Sequence, residues 1–259
     1  MTSEILKILS NTPELFSFQL YYYLNHKDTI SIYTTPEAPN TFILMFKDIL
    51  FEDKCYITAY GHKATIEALL KSLVLNLDHS TRYELLFQHH HLATIKYFFD
   101  DFDFIDESAT HSDNINRLQA MSIEKANFVP KRHLRTGKKL TPELLEHFDP
   151  DLLLYANSGV VYGIIEDAEL ISVAPVPFIY KSNDYSFAII HNFFTNEKYK
   201  RKGYATGAIR AALNFLFTRK IIKSVYLLVD EQNPAVKMLE KIGFETSSSQ
   251  WLGARAFLK

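Results

Sequence analysis

The chain opens on a helical spacing of apolar residues. Ile5, Leu6, Ile8 and Leu9, then Leu15, Phe16 and Leu20, recur three and four apart across residues 3–24, with Asn11-Thr12-Pro13 as a break or restart. Short apolar runs at 30–34, 41–46 and 55–60 predict strands, the last ended by Gly61. A strong helical pattern over 64–75 precedes a strand at 83–87 and a helix at 92–99. Residues 106–114 are polar and rich in turn formers, and 115–121 reads as a strand. The pattern then changes near Val129-Pro130-Lys131-Arg132, where a basic, polar stretch begins. Leu140-Thr141-Pro142-Glu143 is a helix start, with Thr as cap and Pro at the first helical position. Apolar runs at 160–165, 170–180 and 187–194, with short links between them, predict an antiparallel meander. A helix over 203–217 puts Ile209, Ala212, Leu213 and Leu216 on one face, followed by a strand at 224–229, a helix at 234–242 and a strand at 251–258.

Antiparallel strands that give way to crossover helices describe an α/β fold: a mixed, mostly antiparallel sheet with flanking helices. The change near residue 129 divides the chain into 1–128 and 129–259. Shifting the sequence by 142 positions lays Gly61 on Gly203, Leu85-Leu86 on Leu227-Leu228, Ala93 on Ala235 and Phe102 on Phe244. The shared order of strand, Gly, helix, strand, helix and Phe points to two tandem domains, the first a degenerate copy. An unrelated N-terminal α/β domain is the alternative.

Composition narrows the function classes. With 259 residues and 47% hydrophobic positions, the chain can build one large core or two small ones. A net charge of −2 argues against a nucleic-acid-binding protein. A single cysteine, Cys55, excludes an intrachain disulfide and any multi-cysteine metal site, and its apolar strand suits an inert core thiol. No apolar run approaches the roughly 20 residues that span a bilayer. The expectation is a cytoplasmic protein that binds neither membrane nor metal, as a monomer or homodimer. His89-His90-His91 suits a polar turn better than a metal site, because consecutive side chains point in different directions. Asp100, Asp101 and Asp103 lack the Gly and Glu of a calcium loop. Tyr21-Tyr22-Tyr23 and the many Phe residues are expected in the core.

One stretch carries chemistry. Phe193-Phe194-Thr195 ends an apolar strand, Lys198–Lys202 is a basic turn, and Gly203-Tyr204-Ala205-Thr206 begins a helix. Open amides, the positive end of a helix dipole and lysine or arginine charge converge there, which suits a pyrophosphate. Alone, the basic run would read as a solvated face. The turn resembles the first cofactor motif of the GNAT superfamily (GCN5-related N-acetyltransferases), Gln/Arg-x-x-Gly-x-Gly/Ala, here Lys200-Arg201-Lys202-Gly203-Tyr204-Ala205. The strand from Val225, then Asn233, an apolar helix and Gly243-Phe244 resemble the second. The likeness spans residues 131–259.

The resemblance implies a GNAT fold and an acyl-CoA-dependent N-acyltransferase that moves acetyl from acetyl-CoA, or another acyl group, to a primary amine of a small molecule or peptide. It implies cofactor contacts at Phe193, Phe194, Thr195, Lys200, Arg201, Lys202, Gly203, Tyr204, Ala205, Thr206 and Asn233. No cofactor is expected at Thr58–Gly61, which lacks the basic run. Two departures matter. Many members carry a Tyr six residues after the Asn as general acid, and here that residue is Leu239. Some place a Glu on the strand before the turn, and here that residue is Ile189. His191, two residues on along the expected strand, is the candidate general base. Asp230 and Glu231 are weaker candidates for orienting an amine. The departures keep a second reading open, a non-catalytic CoA-binding or protein-interaction module.

Overall fold

The computed structural model describes residues 2–105, 113–131 and 133–259, so most of the polar stretch at 106–114, and Arg132, lie outside the described residues. In chain order the elements are α1 (Thr2–Asn11), α2 (Pro13–Asn25), β1 (Ile30–Thr34), β2 (Phe42–Lys47), β3 (Cys55–Tyr60), α3 (Lys63–Leu73), β4 (Arg82–Gln88), α4 (Leu92–Phe98), β5 (Phe99–Asp103) and β6 (Asn116–Glu124). They continue as β7 (Lys138–Lys139), α5 (Pro142–Phe148), α6 (Pro150–Ser158), β8 (Val160–Glu166), β9 (Glu169–Val176), β10 (Phe178–Lys181), β11 (Ser186–Ile189), β12 (Phe194–Thr195), α7 (Tyr204–Phe215), β13 (Ser224–Asp230), α8 (Ala235–Ile242) and β14 (Glu245–Leu258). Two compact units emerge. One holds Met1–Ala120 with Val229–Asn233 and Ser247–Lys259, the other Met121–Leu228 with Pro234–Thr246.

In the first unit β1, β2 and β3 pair antiparallel, β3 and β4 pair parallel, and β14 runs antiparallel to both β4 and β5. Period-two alternation sorts the side chains onto two faces. Ile57, Leu85, Phe87 and Ala254 meet Ile66 and Leu70 of α3 and Ile95 of α4. The other face is aromatic. Phe16, Phe18 and Tyr22 of α2 pack on Phe42, Phe46, Tyr56 and Trp251, with Tyr22 and Phe46 ring centroids 4.4 Å apart. Each such ring contributes roughly 1.5–3 kcal/mol when fully buried. Tyr21-Tyr22-Tyr23 and most of the Phe residues are therefore core, with Tyr97 and Phe194 exposed. Cys55 is buried in the first of these faces, where burial pushes its thiol pKa up.

In the second unit β7, β8, β9 and β12 form one antiparallel sheet. Separately, β10 pairs antiparallel with β11, and β11 pairs parallel with β13. The buried stripe of α7 includes Ala208, Ile209, Ala212 and Leu213, and the helix packs on β8 and β9. Strand directions are mixed and the strands are helix-flanked, as the apolar pattern predicts, but in this unit they divide between two sheets.

Several expected elements differ in detail. The strand at 170–180 is two strands, because Pro177 has no N–H to continue the ladder. The strand at 187–194 is also two, in different sheets, divided where Asn192 takes φ +50°. The helix begun at Pro142 stops at Phe148, and α6 restarts with the Asp149 carboxylate accepting from the Asp151 amide. The helix expected over 203–217 starts at Tyr204 and ends in a π turn at Leu216–Lys220. Strands β5 and β7 carry no alternation that would announce them.

Candidate functional site

Two parallel strands part in the second unit. Strand β11 is in register with β13 over Phe187↔Ser224, Ala188↔Val225 and Ile189↔Tyr226. One further bond follows, from the Ile190 amide to the Tyr226 carbonyl. Then the chain turns away. The His191 amide donates to Pro175, Asn192 takes its left-handed conformation, and Phe194-Thr195 joins β9 as β12. Ser172, fully buried, fastens β12 to β9: its hydroxyl bonds the Phe194 carbonyl (2.9 Å) and Thr195 Oγ1 (2.8 Å). Among the described residues the other edge of β12 has no strand partner, so its backbone groups remain available to an extended ligand.

The chain next enters a tight turn. The Asn196 side chain accepts from the Lys198 amide and donates to Glu169. Glu169 also takes hydrogen bonds from Tyr199 Oη (3.2 Å) and Lys198 Nζ (2.6 Å). The Lys198 contact holds the Glu169 carboxyl below the usual carboxylate range. Lys200 pairs with Glu197, and Lys202 Nζ reaches the Lys198 carbonyl. The basic run is thus partly satisfied by its own neighbours, and its lysines are exposed. Arg201 (φ +62°) and Gly203 (φ +86°) are left-handed. Gly203 caps α7, a helix of 12 residues whose first amides have no intrahelical acceptor. A Cβ on Gly203 would stand 3.1 Å from His133 Cε1 in a backbone region that L residues avoid. A side chain there would fill the space before the helix end. The phosphates of a CoA fit this cradle on that ground, and the open edge of β12 fits its extended arm.

The predicted residues separate into two groups. Phe193, Phe194, Thr195, Lys200, Arg201, Lys202, Gly203, Tyr204, Ala205 and Thr206 lie along β12, the turn and the first turn of α7. Asn233 belongs to the first unit, where its amide bonds the Asp230 carbonyl. Asp230 is fully buried and structural, accepting from Asn116 Nδ2 and the amides of Arg117 and Gln232. Leu239 and Ile189 are buried and offer no proton. His191 is not on the strand face expected for it, since β11 ends at Ile189. It sits half-buried where the strands part, its ring edge-on to Tyr155 (5.9 Å) and near Phe178 (6.2 Å). Tyr155 Oη accepts from Asn192 Nδ2 (2.9 Å). Neither Tyr155, Asn192, Ser172 nor Arg135 stands out in the sequence, because none lies in a spaced motif.

The first unit has its own strand–Gly–helix turn, with different fittings. Strands β3 and β4 stay in register from Cys55↔Tyr83 to Ala59↔Phe87. The Gly61 amide donates to Gln88 Oε1 and the His62 amide to Thr41 Oγ1, both at 2.9 Å. His90 Nε2 meets the Gly61 carbonyl, while His91 is fully buried. Among the described residues no cluster of His, Cys, Asp and Glu could hold a metal ion, and no helix is long and apolar enough to cross a membrane.

Comparison with known proteins agrees with this geometry. Residues 126–244 match the profile of the Acetyltransferase (GNAT) family. No curated protein sequence matches the chain. Among solved structures, a Drosophila protein from a structural genomics programme is 12% identical with a TM-score of 0.65, covering 97% of this chain and 95% of that one. A GCN5-related N-acetyltransferase from Kribbella flavida is 12% identical with a TM-score of 0.60, covering 94% and 96%. A tandem GNAT protein from the clavulanic acid biosynthesis pathway is 10% identical with a TM-score of 0.55, covering 92% and 86%. At these identities the likeness is one of fold. The parted strands, the Gly203-led helix and the matched segment lead to one conclusion: residues 126–244 carry the pattern of the Acetyltransferase (GNAT) family.

Proposed function

We propose that the protein is an acyl-CoA-dependent N-acyltransferase that transfers acetyl to a primary amine of a small molecule or peptide. The observation that carries this reading is the parting of β11 from β13 after Ile190, beside the Gly203-led helix. The open edge of β12 would pair with the pantetheine arm. The amides of residues 201–206 would take the diphosphate, with Arg201 and Lys202 adding charge. The acyl-CoA supplies an activated thioester, whose carbonyl an amide near the strand break would polarise. His191 would take the proton from the amine, and Tyr155 and Phe178 would orient its ring. With Leu239 where a Tyr is common, the thiolate would leave without a protein acid, which a thiol pKa near ~8.5 permits. We place the start of this module near residue 129 and read residues 1–128 as a degenerate tandem copy. From their paired helices onward both units run helix, helix, strands, helix, strand, helix, with three strands before the third helix in the first (β1–β3) and five in the second (β8–β12), and subtracting 142 from the bounds of β13 gives those of β4. A cytoplasmic site of action fits the single cysteine.

Thermal unfolding with CoA and acetyl-CoA at about 1 mM tests the cofactor reading. A ligand at a hundred times its Kd stabilises by about 2.7 kcal/mol, and Gly203→Glu should abolish the shift. No shift in the wild type would refute the reading. The buried Leu239 and Ile189 favour one alternative, a non-catalytic CoA-binding module. A shift with CoA but no thiol release across a broad amine panel would select it.

A further inference from the structure

Arg135 precedes β7 in the basic stretch and would be read from sequence as a solvated cation. In the structure it is engaged on three sides. Its Nε donates to the Lys202 carbonyl (3.0 Å), its Nη1 pairs with Glu166 Oε1 (3.1 Å), and its guanidinium lies 3.8 Å from the centroid of the Tyr204 ring. The Tyr204 hydroxyl closes the group by donating to the second oxygen of Glu166. The backbone around Arg135 is seated as closely. A Cβ on Gly207 would stand 2.0 Å from the Arg135 carbonyl, and one on Gly137 would stand 3.0 Å from the Ala208 Cα. His133 Nδ1 contacts the same Arg135 carbonyl (3.0 Å), and its ring edge lies beside Gly203. Residues 133–137 therefore form a strap across the first turn of α7.

The position of this strap has a consequence for binding. In a trans peptide the C=O and the next N–H point in opposite directions. Fixing the Lys202 carbonyl on Arg135 therefore aims the Gly203 amide away from the strap. It also holds a turn in which Arg201, a residue with a Cβ, is left-handed, a conformation that persists only when its surroundings impose it. The charge of Arg135 is already matched by Glu166, so its part is geometric.

Building on the cofactor reading above, we infer that Arg135 is a positioning residue for diphosphate binding: clamped by Glu166 and Tyr204, it fixes the Lys202–Gly203 peptide so that the turn amides face the ligand. Lysine cannot replace it fully, because one ammonium cannot meet the carbonyl and the carboxylate and also stack as a plane.

Titration calorimetry on the full chain tests this, with two probes: CoA, and S-acetylpantetheine, which lacks the diphosphate. Arg135→Met should weaken CoA by about tenfold or more, a loss of about 1.4 kcal/mol per decade, and leave S-acetylpantetheine within about twofold. Arg135→Lys should fall between. If Arg135→Met does not fold, Glu166→Gln replaces it with the same selective loss expected. A folded variant that binds CoA as the wild type does overturns the inference alone. So does an equal loss for both probes, which general loosening would give. A wild type that fails to bind CoA overturns the cofactor reading and this inference with it.

Discussion

His91 is fully buried, and neither ring nitrogen finds a hydrogen-bond partner, the nearby Gly61 carbonyl being taken by His90. Burial, then the neighbouring His90, pushes its pKa from 6.5 down to about 4. The folded chain thus holds His91 neutral, while the unfolded chain protonates it below about pH 6.5. Its contribution to stability is full above that pH and is lost as pH falls toward 4, by up to roughly 3 kcal/mol at about 1.4 kcal/mol per unit. Thermal unfolding between pH 7 and 4.5 checks this, and His91→Leu should flatten the acid limb relative to wild type. In sequence the three histidines read as a polar turn. That reading holds for His90, which is exposed, and fails for His91, which the short 3-10 turn directs inward. Residue type sets the range of roles, and packing selects among them.

At the scale of elements, helix α7 shows packing overriding propensity. Alanine in a helix interior is worth roughly 1 kcal/mol more than glycine, so Gly207→Ala in isolation should stabilise. The Arg135 carbonyl lies 2.0 Å from where the Cβ would go. Separating helix and strap should cost about 1–3 kcal/mol, as overpacking does, and outweigh the propensity gain. A lowered midpoint in denaturant unfolding, with weaker CoA binding, is the expected outcome. The strands tell a related story. The apolar run at 187–194 is legible in sequence, and so is the basic turn after it. The break at Asn192 is not, because period-two alternation registers burial on both sides and says nothing of which neighbour a strand chooses. That break is what frees the edge of β12, so the most informative feature of the site lies at His191-Asn192, the polar pair inside that apolar run.

For the whole molecule, the C-terminal strand decides which residues fold together. Residues Ser247–Lys259 belong to the first unit, where β14 pairs with β4 over Trp251↔Gln88 to Phe257↔Arg82 and also with β5. Arg255 Nε bonds Glu84 Oε1 at 2.9 Å, and Glu84 is nearly fully buried. Removing one partner of a buried ion pair costs about 3–5 kcal/mol, so Arg255→Ala should destabilise this unit by that order in urea unfolding. A chain ending at residue 128 should lack cooperative unfolding by circular dichroism, because the hydrogen bonds of β4 and the apolar face under α3 and α4 would be left open.

The amino-acid sequence by itself determined the order and kind of most elements, the mixed helix-flanked fold, and the place of the basic turn before Gly203. Those depend on local spacing, turn residues and a helix cap, which act over a few residues. Only the tertiary structure decided which strands part, which cations are already paired, that Arg135 clamps the turn and that the last strand completes the first unit. Each depends on a contact between residues far apart in the chain, and local periodicity carries no record of such partners.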